Sequence, residues 1–197
     1  MKTKALIIFT RNPELGKVKT RLAKSIGDPQ ALQVYKDLLQ HTMEQTQNLD
    51  SDNYVFYDTK VIENDIWNSD IYFKKVQAKG DLGNKMQMAF EMLFDLGYQK
   101  CIIIGSDLFD LKTAIINKAF DSLDIKEVVL GPAEDGGYYL LGLNQSNTAI
   151  FQNKPWGTST VLEMTLNDLK QHSVHLLETL NDIDTIEDLE RSNYILK

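Results

Sequence analysis

Two uninterrupted apolar runs constrain this chain most: Ala5-Leu6-Ile7-Ile8-Phe9 and Ile102-Ile103-Ile104. A strand with one wet face alternates apolar and polar residues, whereas a run without alternation marks a strand covered on both faces. Such strands belong to sheets with helices packed on either side, the α/β class. Each run also ends in polar residues suited to chemistry. The first gives way to Thr10-Arg11-Asn12-Pro13-Glu14-Leu15-Gly16-Lys17-Val18-Lys19-Thr20-Arg21. The second runs into Gly105-Ser106-Asp107, with another carboxylate at Asp110. In open α/β sheets ligands gather beyond the carboxyl ends of the strands, so a site is expected there.

The rest of the chain alternates in the same way. Asp28 reads as a helix N-cap with Pro29 in the first helical position, ahead of Leu32, Tyr35, Leu39 and Met43 at helical spacing. Strands are predicted over 53–57 and 72–77. Gly80-Asp81-Leu82-Gly83 then leads into a helix with Met86, Ala89, Leu93 and Leu96 on one face, ended at Gly97. A helix over 111–123 follows the second apolar run, and strands follow over 127–130 and 138–143. The link between those two strands is too short for the crossover that parallel neighbours need, so the sheet is expected to be mixed. A helix over 158–172, a strand over 174–177 and a short last helix complete the pattern. Asp184 and Glu187 stand at capping-box spacing before that last helix. No repeat, linker or low-complexity tract divides the chain, so one domain over 1–197 is expected.

Charge narrows the function. The net charge of −7 argues against nucleic-acid binding, which needs a basic footprint. It is unevenly spread: residues 1–24 carry a net +6 and the remainder −13. A basic loop on an acidic body suggests a local anionic ligand. No apolar run has the length of a membrane span and no signal-peptide pattern opens the chain, so no membrane partner and a cytoplasmic location are expected. Cys101, the only cysteine, excludes an internal disulfide and reads as a packing residue.

Arg11, Lys17, Lys19 and Arg21 flank Gly16 between a strand and a helix, an arrangement suited to phosphates and equally available to a solvated basic turn. The loop is neither a P-loop nor a dinucleotide-binding glycine motif. Asp107 and Asp110 could share a hard cation such as Mg2+, or serve as turn and helix cap. Asp135, among Gly131, Gly136 and Gly137, is a candidate acidic ligand or part of a tight hairpin turn. Trp156-Gly157-Thr158-Ser159 could contribute to an acceptor pocket or merely cap a helix with Thr158 or Ser159. Nucleophilic catalysis finds no elbow motif, and His41, His172 and His175 read as structural or surface residues.

Taken in order, these loops resemble one family. The segments are 9–22, Gly80-Asp81-Leu82-Gly83-Asn84-Lys85-Met86, Gly105-Ser106-Asp107, 131–140, Trp156-Gly157-Thr158 and Asp182-Ile183-Asp184-Thr185. The chain resembles the radical-SAM/selenodomain-associated transferases, a group of GT-A-like nucleotide-diphospho-sugar transferases. More distantly it is similar to the molybdenum-cofactor and phospholactate guanylyltransferases. The resemblance implies a single-domain Rossmann-like GT-A fold: a mixed, mostly parallel sheet with helices on both faces. It also implies a nucleotide under the first loop and Mg2+ or Mn2+ near the acidic strand end. Three residues depart from the family's habit: Leu108-Phe109 replaces Cys-Pro, which loosens the turn that sets Asp110, and Lys85 replaces an arginine.

The resulting expectation is a metal-dependent glycosyltransferase with a nucleotide-sugar donor and a small-molecule acceptor. The alternatives are a nucleotidyltransferase joining an NTP to a phosphorylated acceptor, and a nucleotide-binding module without turnover. Nucleotide-binding residues are expected at Thr10, Arg11, Gly16, Lys17, Lys19, Arg21, Gly80, Asp81 and Ser106. Asp107, Asp110 and Asp135 are the expected metal ligands, and Asp107, Asp135 and Lys19 the catalytic set. Gly136, Gly137, Tyr138, Trp156 and Thr158 are expected around the acceptor.

Overall fold

A computed structural model describes residues 3–196. Seven strands form one sheet: β1 (Lys4–Thr10), β2 (Asp52–Tyr57), β3 (Tyr72–Val76), β4 (Lys100–Ile104), β5 (Val128–Pro132), β6 (Tyr138–Leu143) and β7 (Val174–Leu176). Their spatial order is β3-β2-β1-β4-β6-β5-β7, and β6 alone runs antiparallel to its neighbours. The short 131–137 link does what its length requires, folding β6 back beside β5 and into the gap next to β4. The strand order reverses direction at β1 and β4, the two apolar runs. Their carboxyl ends therefore flank the crevice where such sheets bind ligands.

Both runs are buried on both faces. Leu6 and Ile8 of β1, with Ile102 and Ile104 of β4, pack among Tyr35 and Leu39 of α2 (Asp28–Thr46) and Ile116 and Phe120 of α4 (Thr113–Ser122). The alternate residues Ala5, Ile7, Cys101 and Ile103 face Met86, Phe90 and Leu93 of α3 (Leu82–Asp95) on the other side. A smaller cluster of Leu22, Val34, Leu38, Ile183 and Leu189 ties α1 (Thr20–Ile26) and α2 to the segment that enters α6 (Ile186–Arg191). That third cluster carries residues 19 and 184 to the same place.

Several element ends differ from the sequence reading. Helix α1 is absent from it: with one turn of apolar signal and turn residues on both sides, no periodicity could develop. Asp28 does not cap α2; Gly27 is the cap and Asp28 is already helical. The capping box at α6 is Thr185 with Asp188, one residue on from the expected pair, and both halves of it form. Helix α5 is only Val161–Asp168, and Thr158 does not cap it, since its hydroxyl donates to the Pro155 carbonyl at 2.9 Å in the preceding turn.

Candidate active site

The loop after β1 is held in shape by buried polar groups. Asn12, 4% exposed, receives the Thr59 hydroxyl at 2.7 Å and donates to the Lys60 carbonyl at 2.9 Å, which pins the loop to the end of β2. Tyr35 of α2 braces it from below. Its hydroxyl accepts from the Arg11 N–H at 2.8 Å, donates to the Arg11 carbonyl at 3.1 Å and lies 3.1 Å from the Thr10 hydroxyl. Burial raises this phenol's pKa, and hydrogen bonds from Thr10 and Ser106 oppose that rise only in part.

Lys19 is the centre of the site. It ends the loop and opens α1 in the left-handed region, at φ 47°, a conformation that side-chain-bearing residues rarely adopt. Such strain costs roughly 1–3 kcal/mol and persists where the surroundings over-determine it. Here the ammonium, on a side chain only 4% exposed, lies 3.0 Å from Asp107 and 2.9 Å from Asp184. Burial works against its charge, but the two carboxylates outweigh that and hold its pKa above the ordinary lysine value. Arg21 adds a longer contact of 3.7 Å to Asp184. The basic start of the chain and the acidic ends of β4 and the 182–185 segment thus converge on one point.

Around that point lies a cleft of about 560 Å³, walled by Arg11, Lys19, Arg21, Lys85, Asp58, Gln77, Ser106, Asp107 and Asp184 among others. Its volume falls in the range of roughly 300–1,000 Å³ usual for small-molecule sites. Of the residues expected to bind nucleotide, Thr10, Arg11, Lys19, Arg21 and Ser106 line it. Gly16, Lys17, Gly80 and Asp81 are not among its walls. Lys17 is exposed on a tight turn, its N–H donating to the Glu14 carbonyl at 3.1 Å. Asp81 caps α3, accepting from the Asn84 N–H at 2.8 Å, and so sets where Leu82 and Lys85 meet the cleft.

A second cavity, of about 220 Å³, shares Phe9, Leu82, Gly105 and Asp107 with the cleft and extends toward Asp135, Gly137, Tyr138, Trp156, Thr158 and Asp182. Two close approaches shape it. A Cβ on Gly83 would lie 2.6 Å from the Trp156 indole nitrogen and 2.3 Å from the Phe151 carbonyl oxygen, so only glycine lets that ring lie on α3. At Gly136, φ 87° and a clash at 2.2 Å with the Ser159 carbonyl exclude a side chain. Gly136, expected around the acceptor, is not among the residues that line the cavity. Asp135 accepts from the Gly137 N–H at 2.7 Å, so the hairpin-turn reading and the cavity placement are both true of it.

Asp182 has its pKa pushed up to about 7, first by burial and then by the charges of Asp107, Asp135 and Asp184. Four carboxylates therefore influence one neighbourhood. Asp110 is not one of them: it accepts from Asn193 at 3.3 Å and lines a separate depression with Glu134, Glu178 and Arg191. Sequence reading assigned Asp182 and Asp184 no role beyond motif and cap, and it took Tyr35 for helix core. Their shared signal is polar or amphipathic residues in segments that end beside the crevice. Elsewhere, Cys101 is fully buried with its thiol pKa pushed up to about 12, as a packing residue should be. His41 bonds the Leu111 carbonyl at 2.8 Å, away from both cavities.

A family profile described as "Uncharacterized protein conserved in bacteria (DUF2064)" matches residues 39–158. The chain belongs to this family. No curated protein matches the DUF2064 chain by sequence. Among solved structures, it is similar to a "putative nucleotide-diphospho-sugar transferase" from Desulfovibrio desulfuricans G20, with 29% identity and a TM-score of 0.87, covering 96% of this chain and 85% of that one. It shares its fold with 4-diphosphocytidyl-2C-methyl-D-erythritol synthase from Anaerococcus prevotii, with 11% identity, a TM-score of 0.58 and coverage of 95% and 92%. Rv0371c of Mycobacterium tuberculosis, solved as a manganese complex, has the same fold at 12% identity, a TM-score of 0.54 and coverage of 95% and 96%. The DUF2064 chain has the fold of nucleotide-sugar transferases and cytidylyltransferases, and it is an enzyme of the transferase class. Among the described residues no helix is long and apolar enough to cross a membrane.

Proposed function

We propose that this protein is a metal-dependent glycosyltransferase with a nucleotide-sugar donor, working in the cytoplasm like the radical-SAM/selenodomain-associated transferases its loops resemble. The observation that carries the reading is Lys19 bridging Asp107 and Asp184 on the floor of a cleft lined by Arg11, Arg21 and Lys85. Arg11, Arg21 and Lys85 hold the donor's phosphates, the arginines by forked hydrogen bonds and the lysine as a point charge. Lys19 keeps Asp107 and Asp184 aligned at the border between cleft and cavity. The cavity beside them takes the acceptor against Tyr138 and Trp156 and excludes water from the reacting carbon.

Among the described residues no three side chains of ligating type already form a metal cage. Mg2+ needs none, being held by one or two carboxylates with substrate phosphates and water. The residues fit such an ion: burial first, and then the charges of Asp107, Asp135 and Asp184, push the Asp182 pKa up to about 7, and a divalent cation would relieve the crowding of charge. Asp107, with Asp135 or Asp182, would hold it. Bound there, Mg2+ or Mn2+ would neutralise charge on the departing diphosphate.

Nucleotidyl transfer is the second reading, because the cations of the cleft suit a triphosphate equally well. The two differ in product, nucleoside diphosphate against pyrophosphate, which ion-exchange chromatography of the reaction resolves. Replacing Asp107 and Asp135 together by Asn should abolish turnover while nucleotide binding in EDTA stays within about twofold, since positioning cations are intact. Turnover that survives the double replacement would end the metal-assisted reading. A pure binding module would form neither product with any nucleotide.

A further inference from the structure

The cavity beside the cleft has a composition that selects its occupant. Phe9, Leu82, Met86, Tyr138, Trp156 and Val161 are among its lining residues, and its ionisable lining residues are Asp107, Asp135, Asp182, Tyr138 and Tyr139. No lysine or arginine lines it. The cations of the site line the cleft, and Lys19 among them is held 3.0 Å from the Asp107 carboxylate that cleft and cavity share. Recognition of a phosphate by side chains or backbone calls for Arg forks, Lys ammonium groups or a helix N-terminus aimed at its oxygens. This cavity offers carboxylates, and at the two helix starts beside it N–H groups are already taken: Val161 and Leu162 donate to the Thr158 and Gly136 carbonyls, and Asn84 donates to Asp81. Lys19 already offsets part of the charge on Asp107, but no cationic side chain lines the cavity itself, and the donor's own phosphates would lie adjacent. Its volume of about 220 Å³ suits a small body or the end of a longer one. Tyr138 and Trp156, edge to face at 6.4 Å, give it an aromatic wall.

We infer that the acceptor is an uncharged small molecule with an apolar or aromatic face and a free hydroxyl, and not a phosphorylated compound; this rests on the transferase reading above. In the reaction the hydroxyl oxygen bonds to the anomeric carbon of the donor sugar. The bond from that carbon to the diphosphate oxygen breaks, its electron pair leaves on the nucleoside diphosphate, and the hydroxyl proton goes to water. The inference also decides between the two transfer chemistries, since nucleotidyl transfer to a phosphate would have to bring a dianion into this acidic pocket.

The test uses a matched pair of probes, benzyl alcohol and benzyl phosphate, which differ by the phosphate alone. Whichever of ADP, GDP, CDP and UDP raises the melting temperature in Mg2+ is bound first, and the probes are then titrated by saturation-transfer NMR. Benzyl alcohol should bind at least about tenfold more tightly than benzyl phosphate, from like-charge repulsion at short range. Thr158→Lys, at an exposed wall position, adds the missing cation and should strengthen benzyl phosphate by about tenfold, a gain that misfolding cannot imitate. Trp156→Ala should weaken benzyl alcohol severalfold, and an unchanged affinity would place the probe elsewhere and overturn the inference. So would benzyl phosphate binding as well as the alcohol, or neither probe binding the nucleotide-loaded protein. If no nucleoside diphosphate binds at all, it is the transferase reading that fails, and the inference falls with it.

Discussion

Replacing Lys19 by Met keeps most of the buried stem and removes the ammonium from between Asp107 and Asp184. Breaking a fully buried ion pair costs about 3–5 kcal/mol, because the partner's charge is left uncompensated. Here Lys19 is 4% exposed but its partners are 36% and 40% exposed, so water solvates them when the lysine goes. The loss is therefore expected at about 2–3 kcal/mol, between the buried and surface limits. Two further measurements separate its origins. Lys19→Gly also removes the ion pairs but relieves the left-handed backbone, so it should be more stable than Lys19→Ala by about 1 kcal/mol. Mn2+ must compete with Lys19 for Asp107 in the native protein and has no such competitor in Lys19→Met. At about ten times its Kd a ligand adds roughly 1.4 kcal/mol, and the variant should gain more from a given Mn2+ concentration than the native chain. Urea unfolding with and without Mn2+ reads all of these. A Lys19→Met protein within about 0.5 kcal/mol of native, or an identical response of both to Mn2+, would refute the argument.

Asp182 gives the site a pH dependence. Its pKa rises from 3.8 to about 7 on folding, so the folded state binds the proton more tightly. Stability contributed by that proton is full below pH 4 and is lost as pH rises toward about 7, with a slope of up to about 1.4 kcal/mol per pH unit. Asp182→Asn should flatten that part of a stability profile, and Mn2+ affinity in the native chain should climb over the same range. Gly136→Ala should cost about 2–4 kcal/mol by thermal unfolding, since it meets both a positive φ and the Ser159 carbonyl; a neutral effect would mean the 133–137 turn is looser than described. Tyr35→Phe removes the brace under Arg11 and should cost about 1–2 kcal/mol, with weaker nucleotide binding measured by calorimetry; unchanged binding would show that the loop holds its own shape.

The sheet was legible because its decisive residues are apolar runs, whose burial on both faces follows from composition alone. The antiparallel β6 was legible from a link too short to cross over. Helix α1 was not, since seven residues allow less than two full periods. The meeting of Lys19 with Asp107 followed from both segments ending at the same sheet edge. That Lys19, and not Lys17, makes it depends on a left-handed residue that no periodicity reveals. Asp184 was hidden by its capping-box spacing, a pattern that Thr185 and Asp188 satisfy instead. Asp110 misled for a related reason: three residues from Asp107 is close in sequence, but the intervening turn sends the two carboxylates to different depressions.

The central claim is that cations from the start of the chain and carboxylates from its middle and end serve one nucleotide through one metal. Anomalous diffraction from crystals soaked with Mn2+ and a nucleoside diphosphate tests it directly. A manganese peak at the Asp107 carboxylate, with the diphosphate between it and Arg11, Arg21 and Lys85, is the predicted result. Manganese or diphosphate bound away from Asp107, or diphosphate seated there with its phosphates turned from the arginines, would contradict it.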